Sequence, residues 1–183
     1  FQSRIFEDAL LRERIPYVIV GGISFYQRKE IKDILEWLRM IQSDTDFISF
    51  MRTVNLPKRG LGDTTLEKIR QLCQEQEIGV IQCCRALLSG EFTLRLSQKQ
   101  RQGLQEYLSI LELLKESKES LTLSDLVRLT IDHSHYTSVL QADPSTCDER
   151  KQNVEELVGK ALEWEEFEEE ASLEKFLEEL SLK

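Results

Sequence analysis

Proline is nearly missing from this chain, with three residues in 183, at positions 16, 57 and 144. Proline removes a backbone donor and clashes with the preceding helical turn, so its scarcity leaves long stretches free to coil into helices. No apolar run exceeds about five residues, the longest lying around "YVIV" at 17–20, whereas a membrane-spanning helix needs roughly 20. The four cysteines, Cys73, Cys83, Cys84 and Cys147, contain no C-x-x-C pair, which argues against a zinc site. Their irregular spacing fits a reducing compartment, and the cytoplasm is the expected location. His133-x-His135 is too thin a ligand set to read as a metal site. No G-x-x-x-x-G-K-[ST] run occurs, so the chain carries no phosphate loop of a nucleotide hydrolase. With no nucleophile–histidine pair, carboxylate dyad or cofactor loop either, an independent enzyme has almost nothing behind it.

What is present is charge and helical periodicity. Hydrophobic residues make up 40% and charged residues 31%, a globular rather than a disordered composition. The net charge is -9, unevenly spread. Residues 1–70 carry twelve Lys and Arg against ten Asp and Glu, and "EWEEFEEEASLEKFLEEL" at 163–180 is the most acidic stretch. An acidic tail repels phosphate, so nucleic-acid contact is expected in the first third of the chain.

"SRIFEDALLRER" places Ile5, Phe6, Ala9 and Leu10 on one helical face. Pro16 ends that pattern, and "PYVIVGG" reads as one short buried strand closed by a glycine turn. A single strand cannot form a sheet, so its partners are expected outside this chain or in a second copy. Beyond Gly22 the periodicity is wholly helical. Ile31, Ile34, Leu35, Leu38 and Ile41 mark one helix, and Phe47, Ile48, Met51 and Val54 mark another that stops before Pro57. Further helices are predicted at 64–76, 79–88, 97–116, 123–133, 146–163 and 172–182, with Thr64-x-x-Glu67 and Thr146-x-x-Glu149 as capping boxes. Leu104, Leu108, Leu111 and Leu114 form an apolar stripe; Trp37, Trp164 and Phe167 are expected to face inward. The fold class is all-α with one orphan strand.

The most specific local pattern is "KRGLGDTTLEK", residues 58–68. Helix N-termini leave backbone N–H groups unpaired and carry partial positive charge. Gly60 and Gly62 permit positive φ and let a phosphate come close to those amides. Leu61 between them is expected to bury its side chain, Thr64 and Thr65 to offer hydroxyls, and Lys58 and Arg59 to add charge. Together they form a turn able to grip a DNA backbone without reading bases. The alternative is a connector whose glycines serve only tight helix packing.

The combination of Ser3-Arg4, Glu7, Pro16-Tyr17, Gly21-Gly22, Phe25, Arg28, Glu30-Ile31-Lys32-Asp33, Leu38-Arg39, Asn55, Pro57 and Arg59-Gly60-x-Gly62 resembles the superfamily 1 DNA helicases of the UvrD/PcrA/Rep family. "RKQNVEELV" at 150–158 adds weaker similarity, and 75–145 agrees only in helical layout. The resemblance implies that residues 1–22 are an edge of the second motor domain, 2A, which would own the orphan strand's sheet. Residues 23–183 would be the helical 2B accessory domain. Gly21 and Gly22 would lie at the 2A–2B hinge, although a plain turn needs glycine equally. Arg28, Lys29 and Lys32 would either touch duplex DNA or flank that hinge. His135 stands where relatives commonly have Gly. The chain is expected to be a piece of a longer protein that moves 3′ to 5′ on DNA. ATP and Mg would be handled by that parent, and no cofactor is expected in this segment. The implied partners are DNA, domains 1A, 1B and 2A, and repair proteins, with no membrane. A helical protein-docking module without DNA contact is the competing function.

Overall fold

The computed structural model describes residues 2–17 and 24–181, with side chains from residue 5 onward, and among these the regular structure is helical. The order is α1 (Gln2–Arg12), a 3-10 turn (Phe25–Gln27), α2 (Lys29–Gln42), α3 (Phe47–Thr53), α4 (Asp63–Gln76), α5 (Val80–Ser89), α6 (Gln98–Lys118), α7 (Leu123–His133), α8 (Tyr136–Gln141), α9 (Cys147–Phe167) and α10 (Leu173–Ser181). The predicted helices are present, α8 in addition. The expected strand is not seen: Pro16 and Tyr17 are irregular, and residues 18–23, including Gly21 and Gly22, lie outside the described residues.

The centre of the molecule is α2. Its predicted stripe is buried, and so are Trp37 and Met40 off that stripe, because α2 packs against α3, α6, α7, α9 and α10. A helix contacted on so many sides buries more than one stripe, and in α2 the buried positions include the carboxylates Glu30 and Asp33. Trp37 meets Tyr107 of α6 at a tilt with ring centres 4.9 Å apart, and Tyr107 meets Phe50 of α3 edge-on at 5.5 Å. Each fully buried side chain of this size contributes roughly 1.5–3 kcal/mol.

Two polar clusters inside the bundle fix its register. Asp33, almost fully buried, accepts from Arg52 Nε at 2.9 Å and from the Tyr136 hydroxyl at 2.6 Å, tying α2 to α3 and α8. Glu30 accepts from Asn153 Nδ2 at 2.7 Å and lies 3.5 Å from Arg150 Nε, while Arg28 donates to Asn153 Oδ1 at 2.9 Å. The residues that carry the resemblance therefore include the internal ties between α2 and α9. A buried carboxylate held this way is costly to orphan.

Three expected faces turn out otherwise. On α1, Ile5 and Phe6 are 73% and 67% exposed, and the inward face holds Leu11 and a buried Glu7. Glu7 accepts from the Phe25 amide and the Ser24 hydroxyl, and Asp8 pairs with Lys160, so polar contacts set the helix orientation. On α3 the expected face is met in part: Val54 is buried and Phe47 packs against the core, but Ile48 and Met51 are exposed, and Phe50 and Thr53 face inward instead. Phe167 is exposed beneath the Arg12 guanidinium, whereas Trp164 packs on Phe176 and donates to Glu179 at 2.7 Å.

Candidate nucleic-acid interface

The segment between α3 and α4 is organised by one side chain. Asn55 Oδ1 accepts from the amides of Arg59 and Leu61, each at 3.2 Å, and its Nδ2 donates to the Leu61 carbonyl. Gly60 has φ +82, a left-handed conformation that costs an L side chain roughly 1–2 kcal/mol. Gly62 has φ -72 and ψ 167, and serves as the N-cap of α4. Leu61 is buried beneath the turn. Helix α4 thus opens at Gly62, and the expected capping box of Thr64 and Glu67 does not form. Thr64 lies inside the first turn, and Glu67 pairs with Arg70 one turn further on. Thr146 likewise makes no side-chain cap on α9 and donates instead to Asp143 Oδ2 at 3.0 Å.

This leaves the α4 N-terminus open. Glycine offers no capping oxygen, and among the described residues no side-chain cap hydrogen bond forms at this end. Gly62, Asp63 and Thr64 are exposed, and a β-carbon on Gly62 would meet nothing within 4 Å. By contrast, α3, α6 and α7 are capped by Asp46, Ser97 and Thr122. Asp63, in the first turn of α4, is the one carboxylate there that opposes an anion.

The expected cations separate. Lys58 is exposed. Arg59 is not a surface charge: its side chain is 2% exposed, and Nη1 donates to the carbonyls of Val54 at 3.0 Å and Pro57 at 3.3 Å. Its guanidinium lies 5.9 Å from the Trp37 ring and 5.8 Å from that of Tyr107. Burial lowers its pKa, partly opposed by Glu106, whose carboxylate is 4.0 Å from Nε. Arg59 braces the turn from beneath. Thr65 accepts from Gln100 Nε2 at 3.1 Å, so its hydroxyl is engaged with α6. Arg28 and Lys32 are half-buried, at the N-cap of α2 and on α2, and Arg28 donates to Asn153.

One basic residue beside the turn escapes every local sequence pattern. The aliphatic stem of Lys99, on α6, lies against Gly60, its Cγ, Cδ and Cε 3.4–3.5 Å from where a β-carbon would stand. A separation of 39 positions hides that contact from the spacing of neighbouring residues.

A partly apolar cleft of about 280 Å³ between α1 and α10 is lined by Leu10, Leu11, Arg14, Ile15, Pro16, Tyr17 and Glu179. Among the described residues no three His, Cys, Asp or Glu side chains gather as a metal site, and no helix is long and apolar enough to cross a membrane.

The whole of residues 1–183 matches the model of the UvrD-like helicase C-terminal domain. The chain is 36% identical over 182 residues to the ATP-dependent DNA helicase PcrA of Bacillus subtilis (strain 168), covering 99% of this chain and 24% of that protein. It is 36% identical over 184 residues to PcrA of Staphylococcus epidermidis and 34% over 185 residues to PcrA of Staphylococcus aureus, covering 99% of this chain and 25% of each relative. The chain spans about a quarter of the length of these relatives.

Proposed function

The chain belongs to the UvrD-like helicase C-terminal domain family, and on that premise we propose that it is a non-catalytic segment of an ATP-dependent 3′-to-5′ DNA helicase. In this reading the turn at 58–65 holds the backbone of duplex DNA. Residues 23–183 act as the 2B accessory domain and regulate unwinding, while residues 1–22 are an edge of the 2A motor domain.

The observation that carries the reading is the open N-terminus of α4, exposed and entered through Gly60 and Gly62. Backbone amides at such an end bind phosphate without base specificity, which suits a protein that must track any sequence. Lys58 supplies charge, Thr64 lies within the first turn, and Arg59 and Leu61 hold the turn from below. Arg28, the N-cap of α2, and Lys32, on α2, would either touch the duplex or flank the hinge. Exposed Ile5 and Phe6 on α1 support contact with the rest of the 2A domain.

ATP and magnesium would be handled outside this segment, in keeping with a sequence that has no phosphate loop. Both are assigned to the remaining domains 1A, 1B and 2A. A second reading, a docking module for repair proteins without DNA contact, is favoured by exposed Ile48 and Met51 on α3 and by the acidic α9–α10 region.

Gly62→Ala tests the proposal cleanly. The added methyl is unobstructed in the protein but stands in the mouth where phosphate would sit. In a titration of labelled duplex DNA, wild-type affinity is expected no tighter than tens of micromolar, with a log–log salt slope of about -2 for two phosphates. Gly62→Ala is expected to bind several-fold more weakly with unchanged circular dichroism. Equal binding by the two proteins would overturn the contact.

A further inference from the structure

Resting on the phosphate reading of the α4 turn, we infer that Lys99 of α6 is a second nucleic-acid contact, and that the surface is built from two helices rather than one turn. Three contacts lock the start of α6 onto the turn. The Lys99 stem lies along Gly60, Gln100 donates to Thr65 at 3.1 Å, and Gly103 lets the Arg59 backbone approach directly. The first leaves the Lys99 ammonium at the rim of the turn, where the residue is exposed and makes no ion pair among the described residues.

Charge decides why this residue matters. With Arg59 buried, the turn's own accessible charges are Lys58 and the opposing Asp63, which balance. Lys99 makes the patch net positive, on a chain whose overall charge of -9 disfavours DNA. Glu106 is also near, but it lies on the Arg59 side. The contribution of α6 is its side chain rather than its helix end, because Ser97 and Gln100 already form a reciprocal cap on its first amides. A flexible ammonium beside backbone donors suits a phosphate as a point charge, with no base recognition.

The test is titration of a labelled DNA duplex between about 50 and 200 mM salt with wild type, Lys99→Ala, Lys99→Arg, Gly62→Ala and, as a control, Lys151→Ala on the exposed surface of α9. Lys99→Ala is expected to weaken binding about three- to tenfold and to flatten the salt slope by about 1, the signature of one lost phosphate contact. Lys99→Arg and Lys151→Ala are expected to bind like wild type. Retained affinity and slope in Lys99→Ala, with Gly62→Ala weakened, would overturn the role of Lys99 and leave the turn reading standing. No change in either would overturn both. Equal losses in Lys99→Ala and Lys151→Ala would show a global charge effect and overturn the local contact. A loss in Lys99→Arg as large as in Lys99→Ala would assign the effect to packing on Gly60 and overturn the phosphate contact of Lys99.

Discussion

The backbone of Arg59 lies directly on Gly103: a β-carbon added to Gly103 would come 2.3 Å from the Arg59 carbonyl oxygen and 2.8 Å from its Cβ. That contact explains a glycine in the interior of the 21-residue α6, where it would otherwise cost about 1 kcal/mol relative to alanine. Replacing it trades that small helical gain against backbone overlap that no rotamer relieves.

Gly103→Ala is therefore expected to destabilise the fold by a net of about 1–3 kcal/mol, the scale of an overpacked core, despite alanine's better helix propensity. Urea denaturation followed by circular dichroism measures it. An unchanged or raised midpoint would show that α6 and the turn are not held in contact.

The buried Asp33 makes a second prediction. Its Oδ2 takes the Tyr136 hydroxyl at 2.6 Å, and burial together with Asp33 pushes that phenol well above the usual tyrosine range. Tyr136→Phe removes one hydrogen bond to a charged acceptor and leaves the other, from Arg52. The expected loss is about 1.5–3 kcal/mol. Asp33→Ala is expected to cost more, because it leaves two donors without their acceptor, and the two variants should be strongly non-additive in a double-mutant cycle.

Helix existence and length were legible because periods of three and four recur along the chain, as at Leu104, Leu108, Leu111 and Leu114, all of them buried. Facing was less so. On α1 and α3, apolar residues occupy more than one face, and periodicity says which residues share a side but not which side finds a neighbour. Glu7 bonding to the Phe25 amide settles α1, and Phe50 meeting Tyr107 settles α3; both are long-range contacts. The glycine turn was readable as a turn, since two glycines before a helix have a backbone meaning. The fate of Arg59 was not, because a cation beside glycines looks the same in sequence whether it meets phosphate or the Trp37 and Tyr107 rings. Gly103 was the available clue to a close approach, without saying to what.

His135 carries a backbone prediction. It is the N-cap of α8 with φ +58, ψ 34, a conformation that disfavours residues with a β-carbon. His135→Gly relieves roughly 1–2 kcal/mol of that cost and gives back about 0.4–1 kcal/mol through greater freedom of the unfolded chain. The net expectation is a gain of about 0.5–1 kcal/mol, read as a higher urea midpoint at an unchanged slope. His135→Ala, which keeps the β-carbon, should not reproduce the gain. Equal behaviour of the two would place the effect in the imidazole rather than the backbone.

The thiols of α4 and α5 are set apart by their surroundings. Hydrogen bonding from Cys83 lowers the pKa of half-buried Cys73 against the opposing effect of burial. Cys83 is raised by that same bond to Cys73 and then by burial, and Cys84 is raised chiefly by burial. Alkylation requires both the thiolate and access, so Cys73 should react first of the three and below the pH where an ordinary thiol does. Cys83 and Cys84 should react only on unfolding. Iodoacetamide labelling near neutral pH, mapped by mass spectrometry of peptides with and without urea, gives the order directly. Substituting Cys83→Ala should slow Cys73 labelling, because the hydrogen bond that favours its thiolate is gone. Faster labelling would mean that Cys83 shields Cys73 rather than activating it.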